Sequence, residues 1–296
     1  MFAKIVLATD LSPAWDEIIA CAGELKVLGC REIVLMHVVT VKFLGGFTEQ
    51  IRAEAEPKLA AQAERLAAQG FTVCREMPLG LPAYAINDAA QRHCADLIVV
   101  GPQKPSRWQE RILGSVAGAV LHRAEAPVLF LKTGIREGMA PGACRLHATE
   151  LLRHVLFPTD FSEISERAGA CLERLADRRL AQVTVLHALD VPGGDAYPPG
   201  FQEMAVAQTQ AALAAWEERL RRAGIPRVKT VFDPGRPLPA ILQVLESQDI
   251  SLIVMGAQGK GFIRELFLGS VAHNVARLAP CPVLLTPPGA RGRGGG

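Results

Sequence analysis

The stretch from Val254 to Ala276 reads VMGAQGKGFIRELFLGSVAHNVA, and its glycines are spaced to grip an anion. Gly256 and Gly259 are separated by two residues, and nine more lead to Gly269 and Ser270. Glycine lets the main chain turn tightly and approach a ligand with no Cβ in the way. A helix opening at Gly269 and Ser270 would present free N–H groups and the positive end of its dipole, and the Ser270 hydroxyl adds a donor. A polyphosphate suits such a donor set. Two other residue types attract notice. Asp160, in the string HVLFPTDFS, is a carboxylate at a strand–helix turn that could accept from a ligand's donor group or could simply cap a helix. His37 and His187 occupy matching places in a repeat but have no carboxylate or cysteine partner at ligand spacing, which favours a structural role.

These residues need a scaffold, and the chain supplies it twice. KIVLATDLS at Lys4–Ser12 is answered by HVLFPTDFS at His154–Ser162, with Asp10 and Asp160 150 residues apart. IVLMHVV is answered by VTVLHAL, DLIVVG by SLIVMG, GSVA by GSVA and APVLFL by CPVLLT, in the same order. Internal repetition of this kind means two copies of one unit. In each copy, short β-branched runs alternate with helical stretches. For copy one the strands are expected at Ile5–Thr9, Ile33–Val39, Phe71–Arg75, Leu97–Val100 and Val128–Leu131. Its helices are expected at Pro13–Leu28, Glu49–Gln69, Pro82–His93 and Ser115–Ala124. Copy two repeats the pattern, with a long helix near Phe201–Ala223. Continuously apolar strands in βαβ order predict a parallel, doubly wound sheet covered on both faces. Ligands of such sheets bind outside the carboxyl ends of the strands, where both the Gly256 loop and Asp160 fall. Residues 1–133 and 153–288 are expected to be the two domains, with a Gly- and Pro-containing linker at 134–152 and a disordered tail at 289–296.

The G-x2-G-x9-G-S string after a fourth strand, TD-x-S after the first, HA or HV at the end of the second, DLIVVG/SLIVMG and the final PVL strand together resemble the ATP-binding universal stress proteins. The resemblance covers nearly the whole chain as two domains. It implies α/β, Rossmann-like domains (adenine nucleotide α-hydrolase-like), each a five-stranded parallel sheet of order 3-2-1-4-5. It also implies an ATP ligand, possibly with Mg2+, and a stress-response regulator with little or no turnover; a slow ATPase or a scaffold that binds no nucleotide are the alternatives. In copy two the resemblance assigns Pro158, Thr159, Asp160 and Ala188 to the adenine side and Met255 and Gly256 to the ribose and phosphate approach. It assigns Gly259, Gly269, Ser270 and Val271 to the phosphates. In copy one the matching positions are Thr9, Asp10, Val38, Gly101, Lys104, Gly114, Ser115 and Val116. There Pro102 stiffens the loop and Lys104 replaces the second glycine, so binding is expected to be weakened. Self-association through the last strands is also implied, as an intramolecular pseudo-dimer or a homodimer.

The remaining signals exclude more than they add. No GxxxxGK[ST] loop, HxGH-type string or GxSxG elbow occurs. A net charge of +2 without a basic stripe argues against nucleic acid. No apolar run approaches the ~20 residues of a membrane helix, and Met1–Asp10 lacks the features of a signal peptide; a cytoplasmic protein with reduced, mostly buried thiols is expected. Trp15, Trp108 and Trp216 are expected to pack or to form interfaces, and the charged run Glu217–Arg222 to face solvent.

Overall fold

The computed structural model describes residues 2–40, 48–101, 115–132, 151–189, 200–259 and 269–289. The first half runs β1 (Lys4–Ala8), α1 (Pro13–Ala20), β2 (Glu32–Met36), α2 (Thr48–Ala68), β3 (Thr72–Glu76), α3 (Pro82–Arg92), β4 (Leu97–Val100), α4 (Ser115–Arg123) and β5 (Val128–Phe130). The second runs β6 (Val155–Pro158), α5 (Glu163–Ala176), β7 (Gln182–Ala188), α6 (Phe201–Arg222), β8 (Arg227–Asp233), α7 (Pro237–Ser247), β9 (Leu252–Gly256), α8 (Ser270–Leu278) and β10 (Val283–Thr286). Most strand and helix ends differ from the expected ones by no more than one residue, as fraying ends do, but β2 stops three residues short of the expected Val39.

The ten strands of the described residues form one sheet of order β3-β2-β1-β4-β5-β10-β9-β6-β7-β8. Each half therefore has the order 3-2-1-4-5, parallel throughout. The halves meet where β5 and β10 pair antiparallel, Leu129 opposite Leu284. The last strands thus pair inside one chain. Lys132, just past β5, donates from Nζ to the carbonyls of Ala276 and Arg277 at the end of α8, a cation where a helix dipole favours one.

Two apolar clusters fill the sheet faces, and both draw residues from both halves. One packs β-strand residues such as Leu7 and Phe157 against α1, α2, α5 and α6. The other packs Val6, Ile98 and Ile253 against α3, α4, α7 and α8. Burial on both faces explains the unbroken apolar strand sequences, each large side chain contributing ~1.5–3 kcal/mol when fully enclosed. Trp216 of α6 is 4% exposed and reaches across to α5, where Gly169 leaves it room: a Cβ there would lie 1.9 Å from the indole. Trp15 is also buried; Trp108 lies outside the described residues.

Some expectations need correction. The helix expected over Pro13–Leu28 breaks at Cys21, and Ala22–Leu28 is a 3₁₀ helix. The cause is Gln69. Its side chain accepts from the Gly23 amide at 2.7 Å and donates to the Ile19 carbonyl at 2.7 Å, groups that an α-helix would otherwise use. Leu151 and Leu152, expected in the linker, are buried in the core, and the Ser251 hydroxyl donates to the Leu151 carbonyl at 3.0 Å. Residues 133–150 and 290–296 lie outside the described residues. Cys30, Cys171 and Cys281 are buried free thiols and Cys74 and Cys94 exposed ones; Cys21 is disulfide-bonded, contrary to the expectation of reduced thiols throughout. Arg219 does not simply face solvent: it pairs with Glu166 and Glu173 of α5 and lies over the Trp216 ring.

Candidate functional site

The carboxyl ends of β6 and β9 bring the second half's predicted residues together. Thr159 follows β6 and is held on both sides. Its amide donates to the Leu186 carbonyl at 2.9 Å, and its carbonyl lies 2.7 Å from His187 Nδ1. The Thr159 hydroxyl accepts from the Phe161 amide at 3.1 Å, and Asp160 Oδ1 accepts from the Ser162 amide at 3.0 Å. This double turn forces Phe161 to a φ of 58°, where its ring stacks on His187 at 4.4 Å. Such a φ is costly for a bulky residue and persists only where the surroundings over-determine it. The same knot recurs in the first half. Leu11 has a φ of 58°, Thr9 Oγ1 accepts from its amide at 3.0 Å, Asp10 Oδ1 accepts from Ser12 at 2.8 Å, and His37 Nδ1 is 3.0 Å from the Thr9 carbonyl. The paired histidines are thus structural, tying the first strand's end to the second's.

Asp160 is held more tightly than a capping role requires. Ser165, one turn into α5, donates its hydroxyl to Asp160 Oδ1 at 2.6 Å. The cap of α5 is Ser162, which accepts from the Ser165 amide. The other carboxylate oxygen faces Gly259: a Cβ at Gly259 would stand 2.5 Å from Asp160 Oδ2. Gly259 has no positive φ, so close approach, not turn geometry, requires glycine there. Gly256 ends β9 against Ile164, whose Cγ2 would be 2.9 Å from an added Cβ.

The far side of the loop returns to the same place. The Gly269 amide donates to the Ala257 carbonyl at 2.9 Å, and an added Cβ there would meet Gln258 at 3.4 Å and the Gly259 amide at 3.9 Å. Gly269 caps α8, so the amides of Ser270, Val271 and Ala272 have no intrahelical acceptor. Asp160, Gly256, Gly259, Gly269 and the start of α8 therefore form one rim. Ser270 is exposed, Val271 and Ala188 are half-buried, and Pro158 and Thr159 are buried at the strand end. The Met255 side chain is buried in the core on the α7–α8 side, so it offers the rim only main chain. His273 is exposed. Residues 260–268 lie outside the described residues.

In the first half, a cavity of 320 Å³ lies at the equivalent strand ends, lined among others by Thr9, Asp10, Val38, Gly101 and Val116. That size is at the lower end for small-molecule sites. Neither the amide nor the carbonyl of Val38 has a hydrogen-bond partner among the described residues, leaving a donor and an acceptor side by side at the cavity. Trp15 stands where the second half has Ser165. Its indole lies so close to Gly101 that an added Cβ would be 2.6 Å away. Asp10 consequently lacks the hydroxyl clamp that Asp160 has. Ser115 begins α4; Lys104 and Gly114 lie outside the described residues. Neither Ser165 nor Val38's open main chain was anticipated in these roles. A position-by-position comparison of the two repeats would have flagged the Trp15–Ser165 exchange.

Comparison with known proteins agrees with the two-domain fold. The family model described as the universal stress protein family matches residues 1–132 and again 152–287. Universal stress protein Rv2623 of Mycobacterium tuberculosis is 34% identical over 197 residues, covering 64% of this chain and 61% of that protein. The match thus spans about three fifths of that relative's length. A universal stress protein of Mycolicibacterium smegmatis is 29% identical over 303 residues, 96% of this chain and 97% of its own length. The crystal structure of a universal stress protein from Archaeoglobus fulgidus superposes with a TM-score of 0.75 at 24% identity, covering 97% of this chain and 99% of that one; it supports the fold.

Proposed function

This chain belongs to the universal stress protein family, and we propose that it is an ATP-binding regulatory protein whose second domain holds the nucleotide with little or no turnover. The observation that carries the reading is the cradle at Gly259 and Gly269. Main chain is bared where a single Cβ would collide with Asp160, beside three helix-start amides without intrahelical acceptors. Those donors suit phosphate oxygens. Gly256, Gly259, Gly269, Ser270 and Val271 would hold the phosphates, with the Met255 main chain beside them. Pro158, Thr159, Asp160 and Ala188 would face the base and ribose. Mg2+, if it accompanies the nucleotide, would find Asp160 as the nearest carboxylate of the rim. The first domain is a weaker site. Its cavity and the Val38 main chain suit a base, but its loop lacks the second glycine. Occupancy would shift a conformation or an association state of a cytoplasmic protein.

Asp160 is the only carboxylate of the rim among the described residues, and its Oδ1 is already held by the Ser162 amide and the Ser165 hydroxyl, which favours binding over hydrolysis. The test is to denature purified protein and identify any released nucleotide, then to measure ATP affinity and turnover for the native chain and for Gly259→Val. Tight binding without turnover, abolished by the substitution, supports the proposal. Turnover well above background makes the protein an enzyme. Failure of the native chain to bind ATP at millimolar concentration ends the nucleotide reading.

A further inference from the structure

Helix α8 begins at the Gly269 rim of the second domain and ends, nine residues long, against the first domain. Its last turn lacks a donor of its own. The Ala276 carbonyl would ordinarily accept from the amide four residues on, but that residue is Pro280, which has none. Lys132 of the first domain fills the gap. Its Nζ donates to the Ala276 carbonyl, and to that of Arg277 at 3.4 Å.

The matching helix of the first domain is built the other way. Counted at the offset of the two GSVA strings, Glu125 stands where α8 is followed by Pro280. The Leu121 carbonyl, matching that of Ala276, accepts from the Ala124 amide of its own chain segment at 3.3 Å. The residue matching Lys132 is Pro287, which offers neither an N–H nor a charge. Two positions thus differ together: one removes a donor from α8, and the other supplies it from the neighbouring domain. The helix held in this way is the one that starts at the intact glycine loop.

Lys132 is also joined to the cavity of the first domain. Leu131, its chain neighbour, donates its amide to the Val100 carbonyl at 2.9 Å, and Val100 and Gly101 line that cavity. Between its two ends α8 is closely packed. Val275 and Ala276 are fully buried in the same apolar cluster as Val128 and Phe130 of β5. A helix packed at interior density passes on a displacement instead of absorbing it. An unbroken series of bonds therefore runs from the free amides at the start of α8 to the strand-end wall of the other domain.

We propose that Lys132 couples the two domains: a nucleotide on the start of α8 fixes the helix, and Lys132 passes that constraint to the Leu131–Val100 wall of the first domain. The inference rests on the nucleotide reading of the second domain and makes the first domain its reader. Coupling between sites is reciprocal, so a link that tightens the wall in response to nucleotide also tightens nucleotide binding.

Calorimetry on the full chain first measures ATP affinity. Hydrogen exchange with and without ATP, resolved by peptide mass spectrometry, then reads both ends of the link. In the native chain, ATP is expected to slow exchange at the start of α8 and at the Leu131 amide. In Lys132→Met the slowing should persist at α8 and vanish at Leu131, and ATP affinity should fall about fivefold, the low end of ordinary couplings. Lys132→Arg, which keeps a cation with donors, should restore both. The proposal is overturned if ATP protects the start of α8 but not Leu131 in the native chain, a comparison that decides even where Lys132→Met fails to fold. It is equally overturned if Lys132→Met keeps protection at Leu131, or if Lys132→Arg is as defective as Lys132→Met. Those outcomes leave the nucleotide reading standing, whereas a native chain that binds no ATP ends both.

Discussion

Asp160 Oδ2 stands 2.5 Å from the point where a side chain on Gly259 would begin. The carboxylate cannot simply swing away, because its other oxygen is held by the Ser162 amide and the Ser165 hydroxyl. Gly259→Ala should therefore lower ATP affinity at least about tenfold and cost about 1–3 kcal/mol of stability by overpacking. Combined with Asp160→Ala, most of the stability cost should disappear while ATP binding stays weak, a non-additive cycle readable by urea denaturation. Strict additivity would show that the two residues do not press on each other.

Ser165→Ala should leave the helix cap intact, since the Ser162 side chain accepts from the residue 165 amide and not from its hydroxyl. It should free Asp160 and weaken ATP binding by roughly three- to tenfold, the worth of one charge-assisted hydrogen bond partly replaced by water. Titration calorimetry on the variant, with a thermal melt to confirm folding, checks this.

Gly169→Ala is expected to destabilise the second domain by about 1–3 kcal/mol. The new methyl group would lie 1.9 Å from the Trp216 indole, which is pinned edge-on to Phe157 at 5.0 Å and covered by Arg219 at 4.3 Å. The urea midpoint and Trp fluorescence should both shift; an unchanged midpoint would mean that the indole moves freely.

Glu76 ties the end of β3 to α3. The Arg92 guanidinium donates to both carboxylate oxygens, at 3.0 and 2.8 Å, and this pairing, aided by His93, outweighs burial and holds the Glu76 carboxyl down at about 2 against an ordinary 4.5. A carboxylate whose pKa falls on folding adds stability that is fully present above its unfolded value and is lost as the pH drops through its folded one. Native stability should thus decline between about pH 4.5 and 2, more steeply than in Glu76→Gln. Parallel acid titrations of the two proteins, followed by circular dichroism, decide it.

The scaffold was legible because its signals are repeated and local. Apolar β-branched runs, Ser–Pro at Ser12 and Pro13, and matched glycines all point the same way, and the G-x2-G-x9-G-S string marks its own place after a fourth strand. What escaped reading depends on contacts distant in the chain. Nothing near Cys21 announces that Gln69 will intercept the amide of Gly23. Leucine and phenylalanine are poor candidates for a left-handed conformation, so Leu11 and Phe161 read as ordinary turn residues until the Thr and Asp side chains around them are seen. Ser165 is one hydroxyl in a helix, and its role appears only beside Asp160.

The antiparallel seam between Leu129 and Leu284 turns the two half-sheets head to tail. Their crevices consequently open at opposite poles of the molecule. A binding partner resting on one pole touches one mouth and not the other, so the two copies can answer to separate listeners, or demand a partner long enough to span both ends.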